Sequence, residues 1–278
     1  MSTFQAFRFD GKRVLVVGGA TGMGAAAAQL AVDAGAEVIV ADFAEITQSG
    51  VQTVHVNLAE TASIDALVGE LGAPIDALLS CAGVADGTPN IEKVNFLGHR
   101  YLIDKLVDGG LLGRGSSIGF ISSAAGLGWE ANLELLNGLL DTPDFEGGAE
   151  WFAQNGKADY YHTKQAVCAY VAREAFTFMK QGIRINAICP GPTETPLAKA
   201  NADTWLAFGE DYRQELGIEA STPLEQAYPL LFLVSDAAVA ISGITLVTDV
   251  GYMSSGLTES FPPATFLAKL LNGRPVEM

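Results

Sequence analysis

Tyr160, Tyr161 and Lys164 are the residues of this 278-residue chain whose types and spacing point most directly to chemistry. They stand in the stretch ADYYHTKQAV, residues 158–167. On a helix, residues three and four apart share a face, so either phenol can meet the Lys164 ammonium there. A free phenol, with a pKa near ~10, is a poor base at neutral pH. Lowering that value by about three units takes roughly 4 kcal/mol of preferential tyrosinate stabilisation. An ammonium about 4 Å away at an effective dielectric of ~20 supplies about that much. A phenol so poised takes a proton from an alcohol or returns one to a ketone oxygen. Spacing alone leaves both tyrosines eligible.

A second constellation lies near the N-terminus. The segment VVGGATGMGAAAAQL sets Gly18, Gly22 and Gly24, with Thr21 and Met23 between them, where an apolar run gives way to an alanine-rich one. Glycines at a strand-to-helix turn let the backbone approach a pyrophosphate, and the helix N-terminus presents free N–H groups to it. This predicts a dinucleotide site. Asp42 ends the next apolar run, where a carboxylate accepts hydrogen bonds from an adenosine ribose and repels a 2′-phosphate. Phe43 follows it, and the glycine turn carries no Lys or Arg. NAD is therefore expected rather than NADP. Asn57 and Leu58 follow the third run; the Asn carbonyl is expected to accept from an adenine amino group while Leu58 packs on the ring.

These residues need elements to hold them. Short β-branched runs at 13–18, 37–42, 51–56, 75–83, 116–123, 183–191 and 244–249 predict strands. Helical patterns separate them at 22–34, 61–71, 91–107 and from Tyr160 to Lys180, with Gly182 as a stop. Strands apolar on both faces and divided by helices predict an α/β fold with a doubly wound parallel sheet, in a single domain spanning 1–278. Three segments exceed that alternation: an insertion at about 127–158, a helical excursion at about 196–222 that would form a substrate loop, and a tail at about 257–278. In the first, Leu133, Leu136, Leu139 and Leu140 form a helical stripe ahead of Trp151 and Phe152. The acidic stretch near 141–150 reads as a solvated loop.

Bulk properties remove other classes. Against 16 Lys and Arg stand 32 Asp and Glu, a formal charge of −16. With no basic patch, neither nucleic acid nor an anionic membrane is an expected partner. Cys81, Cys168 and Cys189 are isolated, with no metal-ligand spacing, which suits a reducing cytoplasm and argues against zinc or disulfides. The N-terminal MSTFQAFRFDGK lacks the apolar centre of a secretory signal. His55, His99 and His162 share no motif and are expected to be exposed or to pack.

In chain order the motifs are GGATGMG (18–24), CAG (81–83), VNFLG (94–98), ISSAAG (121–126), Tyr160 with Lys164, and NAICPGPTET (186–195). This order resembles the short-chain dehydrogenase/reductase family over about 250 residues. The resemblance implies a Rossmann-type sheet with a helical insertion before the tyrosine helix. It also implies a catalytic set of Asn95, Ser123, Tyr160 and Lys164. Asn95 matches the residue that organises a proton-relay water, Ser123 the one that bonds the substrate oxygen, and Ser122 is the second choice. The family register Tyr-x-x-x-Lys selects Tyr160 and turns Tyr161 about a hundred degrees away. Lys164 would also bond the nicotinamide ribose. Cys81, Ala82 and Gly83 correspond to a loop beside the cofactor, although Ser80 and Cys81 replace its two asparagines. Pro190, Gly191, Thr193 and Thr195 correspond to the stretch that holds the nicotinamide end.

Within the family the chain is most similar to bacterial 3α-hydroxysteroid dehydrogenase/carbonyl reductases, which share an extended segment before the tyrosine and a PGATETPL-type stretch. The resemblance implies hydride transfer between NAD and a secondary alcohol or ketone on a bulky apolar ring: a steroid, or another cyclic, terpenoid or aromatic alcohol. It also implies a homodimer or homotetramer. Trp129, Leu136, Trp151 and Phe152 of the insertion are expected either to wall the substrate pocket or to form a subunit contact. The alternative outside enzyme chemistry is an NAD-binding regulator without turnover. Against it, all four catalytic types are present.

Overall fold

The computed structural model describes residues 4–275; the outermost residues of the expected domain, of the N-terminal stretch and of the tail lie outside that range. Seven strands form one parallel sheet in the order β3-β2-β1-β4-β5-β6-β7: β1 (Arg13–Val17), β2 (Glu37–Asp42), β3 (Gln52–His55), β4 (Ala77–Ser80), β5 (Ser117–Ile121), β6 (Arg184–Pro190) and β7 (Thr245–Thr248). Chain order reverses between β1 and β4, and in such sheets that reversal opens a crevice beyond the strand C-termini. Every residue of β4, β5 and β6 is buried, as expected of strands covered on both faces.

Helices α1 (Gly22–Asp33) and α10 (Pro223–Val234) cover one face over Val14, Val16, Val38 and Val40. The other face carries α2 (Thr61–Glu70), α3 (Gly98–Asp108) and α6 (Tyr160–Lys180), packed on Leu15, Ile39, Leu78 and Phe120. Helix α6 begins where Asp159 accepts a hydrogen bond from His162 N at 2.8 Å. It stops before Gly182, whose φ of +79° suits glycine. A π-helical turn, Lys93–Leu97, runs without a break into α3.

The insertion folds as α4 (Leu133–Leu140) and α5 (Phe145–Asn155). Leu136, Leu139, Leu140, Phe145 and Phe152 all enter the α3/α6 core, while Leu133 remains exposed. The acidic stretch is not the expected open loop. Asp144 accepts from Gly147 N at 2.8 Å and starts α5, and Phe145 anchors it from inside. The later excursion forms three short helices, α7 (Pro196–Lys199), α8 (Ala202–Trp205) and α9 (Glu210–Leu216), and the tail forms α11 (Tyr252–Leu257) and α12 (Thr265–Leu271). The tail then leans on the start of the insertion. A Cβ on Gly128 would lie 2.5 Å from Leu271 O. No helix among the described residues is long and apolar enough to cross a membrane.

Candidate active site

The glycine turn crosses the crevice at the β1/β4 reversal. Gly18 has φ +86°, and a Cβ there would sit 2.2 Å from Ala82 N; one on Gly24 would meet Gly18 O at 2.0 Å. Only glycine permits this approach of β1, α1 and the loop after β4. Thr21 precedes α1 without a side-chain cap, so the N–H groups of the first turn face the groove unspent. The groove has a volume of about 420 Å³. Thr21, Gly22, Met23 and Gly24 line one side, Asp42, Phe43, Asn57 and Leu58 another, and Cys81, Ala82 and Gly83 its inner end. Open helix N–H groups, a carboxylate at the far end and no lining Lys or Arg fit a dinucleotide whose adenosine ribose lies at Asp42.

Asp42 is held by its own turn, accepting from Ala20 N and Ala44 N, both at 2.9 Å. Phe43 is 70% exposed and tilts against His55. Asn57 has a local role as well. Its carbonyl accepts from Ala59 N at 3.0 Å and its amide donates to Glu60 at 2.8 Å, so the side chain also closes the start of α2 while lining the groove. At the other end, Pro190, Gly191, Thr193 and Thr195 line an adjoining cleft. Thr195 belongs to both spaces and starts α7, accepting from Ala198 N at 3.0 Å.

That second cleft, about 350 Å³, holds Ser123, Tyr160 and Lys164. Tyr160 stands at the first residue of α6, its N–H donated to Asp86 at 3.0 Å, and its phenol lies beside the Ser123 hydroxyl, which acts to lower its pKa. Tyr161 faces His162 edge-on and is absent from the cleft lining. Ser122 turns inward, donating to Lys164 O at 2.9 Å beside Cys168. Of the two serines, then, Ser123 has its hydroxyl at the phenol.

Lys164 Nζ donates to Ile121 O at 3.0 Å and lies 5.5 Å from the Tyr160 ring centre. Burial drops the Lys164 pKa to about 8. Burial also pushes Tyr160 up to about 12, against the influence of Ser123. This reverses the expected direction. Desolvation of the phenolate outweighs an ammonium that is aimed at a backbone carbonyl rather than at the phenol oxygen.

Asn95 is buried within the π turn. Its carbonyl accepts from Val84 N at 2.8 Å; its amide donates to Val84 O at 3.1 Å and to Thr163 at 3.3 Å. It thus ties the loop after β4 to α6. His99, one turn on, is buried with Nε2 3.1 Å from Ala82 O, and burial lowers it to about 4, so it is neutral. Cys81 adjoins both spaces, and burial raises its thiol to about 12. Among the described residues no group of three or more His, Cys, Asp and Glu is placed to hold a metal.

Much of the apolar wall comes from segments that carried no motif. Trp205 and Phe208 enter from the 196–222 excursion, Leu267 and Leu271 from the tail, and Ala124 and Ala125 from the turn after β5. The Trp205 and Tyr160 ring centres are 4.8 Å apart. None of Trp129, Leu136, Trp151 or Phe152 lines the cleft. As a pocket wall, that expectation fails because Leu136, Leu139, Leu140 and Phe152 are buried in the core shared with α3 and α6.

A parallel sheet with a glycine turn at its reversal point defines a Rossmann-type dinucleotide fold. A family described as enoyl-(acyl carrier protein) reductase matches residues 148–253. The coniferyl-alcohol dehydrogenase of Pseudomonas sp. (strain HR199 / DSM 7063) is 29% identical over 254 residues, 88% of this chain and 97% of that protein. The cis-4-hydroxycyclohexanecarboxylate dehydrogenase of Sinomonas cyclohexanicum is 29% identical over 259 residues, again 88% and 97%. The structure of the 3-alpha-hydroxysteroid dehydrogenase from Pseudomonas sp. B-0831 complexed with NADH matches with a TM-score of 0.70 at 28% identity, covering 90% of this chain and 99% of that one. These matches support membership of the short-chain dehydrogenase/reductase family, whose oxidoreductases use a nicotinamide cofactor.

Proposed function

We propose that the protein is an NAD-dependent oxidoreductase that interconverts a secondary alcohol and a ketone on an apolar ring substrate. The observation that carries this reading is the Ser123–Tyr160 pair, which stands in an apolar cleft immediately beside the dinucleotide groove. The bound cofactor supplies a hydride acceptor or donor. Tyr160 takes the hydroxyl proton as hydride leaves the carbinol carbon, and returns it in the reverse direction. Ser123 bonds the same oxygen and stabilises the charge that develops on it. Lys164 holds a positive charge behind the phenol, and Asn95 fixes the loop that carries Gly83 against it. A phenol that burial holds high is brought down by added positive charge of the kind an oxidised nicotinamide carries.

Asp42, with no cation along the groove, supports NAD over NADP. The apolar wall, and relatives that act on ring-bearing alcohols, support the substrate class. The test is a panel of cyclic secondary alcohols mixed with the protein and either NAD or NADP, followed at the absorbance of the reduced nicotinamide. Turnover with NAD, at least tenfold faster than with NADP, is expected. Tight NAD binding with no turnover on any member would mark a regulator instead.

A further inference from the structure

Trp205 has a position that the reaction described so far does not use. It is the last residue of α8, a helix with no buried side chain and no side-chain cap at Asn201. Immediately after it the chain is pinned, because Arg213 donates to Leu206 O and, at 2.7 Å, to Phe208 O. The indole itself is half-buried and supports no core. Its ring lies 4.8 Å from that of Tyr160, the planes 43° apart. Phe208, Leu267 and Leu271 extend the apolar lining beside it, and Lys164 is the sole basic residue of the cleft. That ammonium is already turned to Ile121 O. No other cation lines the cleft to neutralise a carboxylate or phosphate, and burying such a charge without a counter-charge is costly.

We infer that Trp205 is the surface on which the ring of a neutral substrate lies, and that it determines the cleft's preference for ring alcohols over open-chain ones, while the lack of a free cation excludes anionic ones. This rests on the proposed function for the identity of the cleft. A saturated or aromatic ring laid on the indole makes broad contact with its face. Because the indole touches the Tyr160 ring, a hydroxyl on that substrate ring reaches the phenol and Ser123. An open chain of the same carbon count makes the same contact only after losing rotational freedom.

Three probes separate these cases: decahydro-2-naphthol, 2-decanol with the same number of carbons, and 4-hydroxycyclohexanecarboxylate. In steady state with NAD, Trp205→Ala is expected to raise KM for the decahydronaphthol about tenfold and to leave that for 2-decanol within about twofold. Trp205→Phe, which keeps a ring, recovers most of the difference, and the carboxylate is a poor substrate of every variant. Equal changes for ring and chain would overturn the inference.

Binding is read without turnover in the Tyr160→Phe background with NAD present. Decahydro-2-naphthol is expected to shift the tryptophan emission, and the shift disappears when Trp205→Phe is added, although Trp129 and Trp151 remain. An emission that does not move, or one that still moves in the double variant, sinks the role of Trp205. An emission response with no turnover in the unaltered protein sinks the oxidoreductase reading and leaves that role standing.

Discussion

The cofactor groove is shaped by backbone, whereas the substrate cleft beside it is shaped by side chains. At Gly18 and Gly24 the chain approaches itself so closely that a single methyl would strike a main-chain atom. The groove's one charged contact, Asp42, is fixed by two N–H groups of its own neighbourhood. The cleft instead borrows Trp205 and Phe208 from one excursion, Leu267 and Leu271 from the tail, and Ala124 and Ala125 from the turn after β5. Backbone shape tolerates almost no substitution. A side-chain wall can be changed one residue at a time without disturbing the sheet. The two meet at Met23, Cys81, Gly83, Thr195 and Leu197, which line both.

That division can be broken or sharpened by experiment. The largest effect is expected at the phenol in the cleft. Tyr160→Phe should lower kcat by about a thousandfold and leave the NAD dissociation constant close to normal, as measured by titration of the purified variant. Tyr161→Phe is its control; a reversed result would move the acid/base by one residue.

Next in size is Phe152→Ala, in the insertion. Phe152 is fully buried against α3 and α6, and its truncation is expected to cost about 3–5 kcal/mol in denaturant unfolding. KM for ring alcohols should stay unchanged, because the residue supports the helix without lining the cleft. A raised KM without loss of stability would return the insertion to the substrate wall.

The smallest effect on stability runs opposite in sign to the effect on activity. Burial holds Lys164 at about 8, below its ordinary 10.5, so the folded protein releases a proton that the unfolded chain keeps. Its stability therefore rises as pH climbs from about 8 to 10.5, and below about 8 the fold bears the full cost of a buried ammonium. Lys164→Met is expected to stabilise the protein at pH 7 by up to roughly 3 kcal/mol while turnover is lost. The gain should fade toward pH 10.5. Urea unfolding at pH 7 and pH 10 checks the sign.

The sheet and its helices were legible because strands covered on both faces read as unbroken apolar runs, and Gly182 marks the end of α6. The groove was legible for a related reason. A glycine demanded by backbone approach shows in the sequence as a glycine. Trp205 was not legible, since its nearness to Tyr160 depends on how three short helices fold back over the cleft. The leucines at 136, 139 and 140 announced a buried face but not what it would be buried against. Asn57 was read for its chemistry, yet its carbonyl is engaged two residues along by Ala59 N. The direction of the Tyr160 shift was misread because spacing reports the neighbouring charge and says nothing of desolvation.

The π-helical turn at Lys93–Leu97 has a consequence for counting residues. Such a turn holds one residue more than an α-helix of the same span. A one-residue deletion inside it would restore a regular helix and rotate one flank relative to the other by about 100°. A deletion that falls between Asn95 and His99 would turn Asn95 away from Val84 or His99 away from Ala82. Aligning this helix residue for residue with an uninterrupted one therefore puts one of those two anchors out of register.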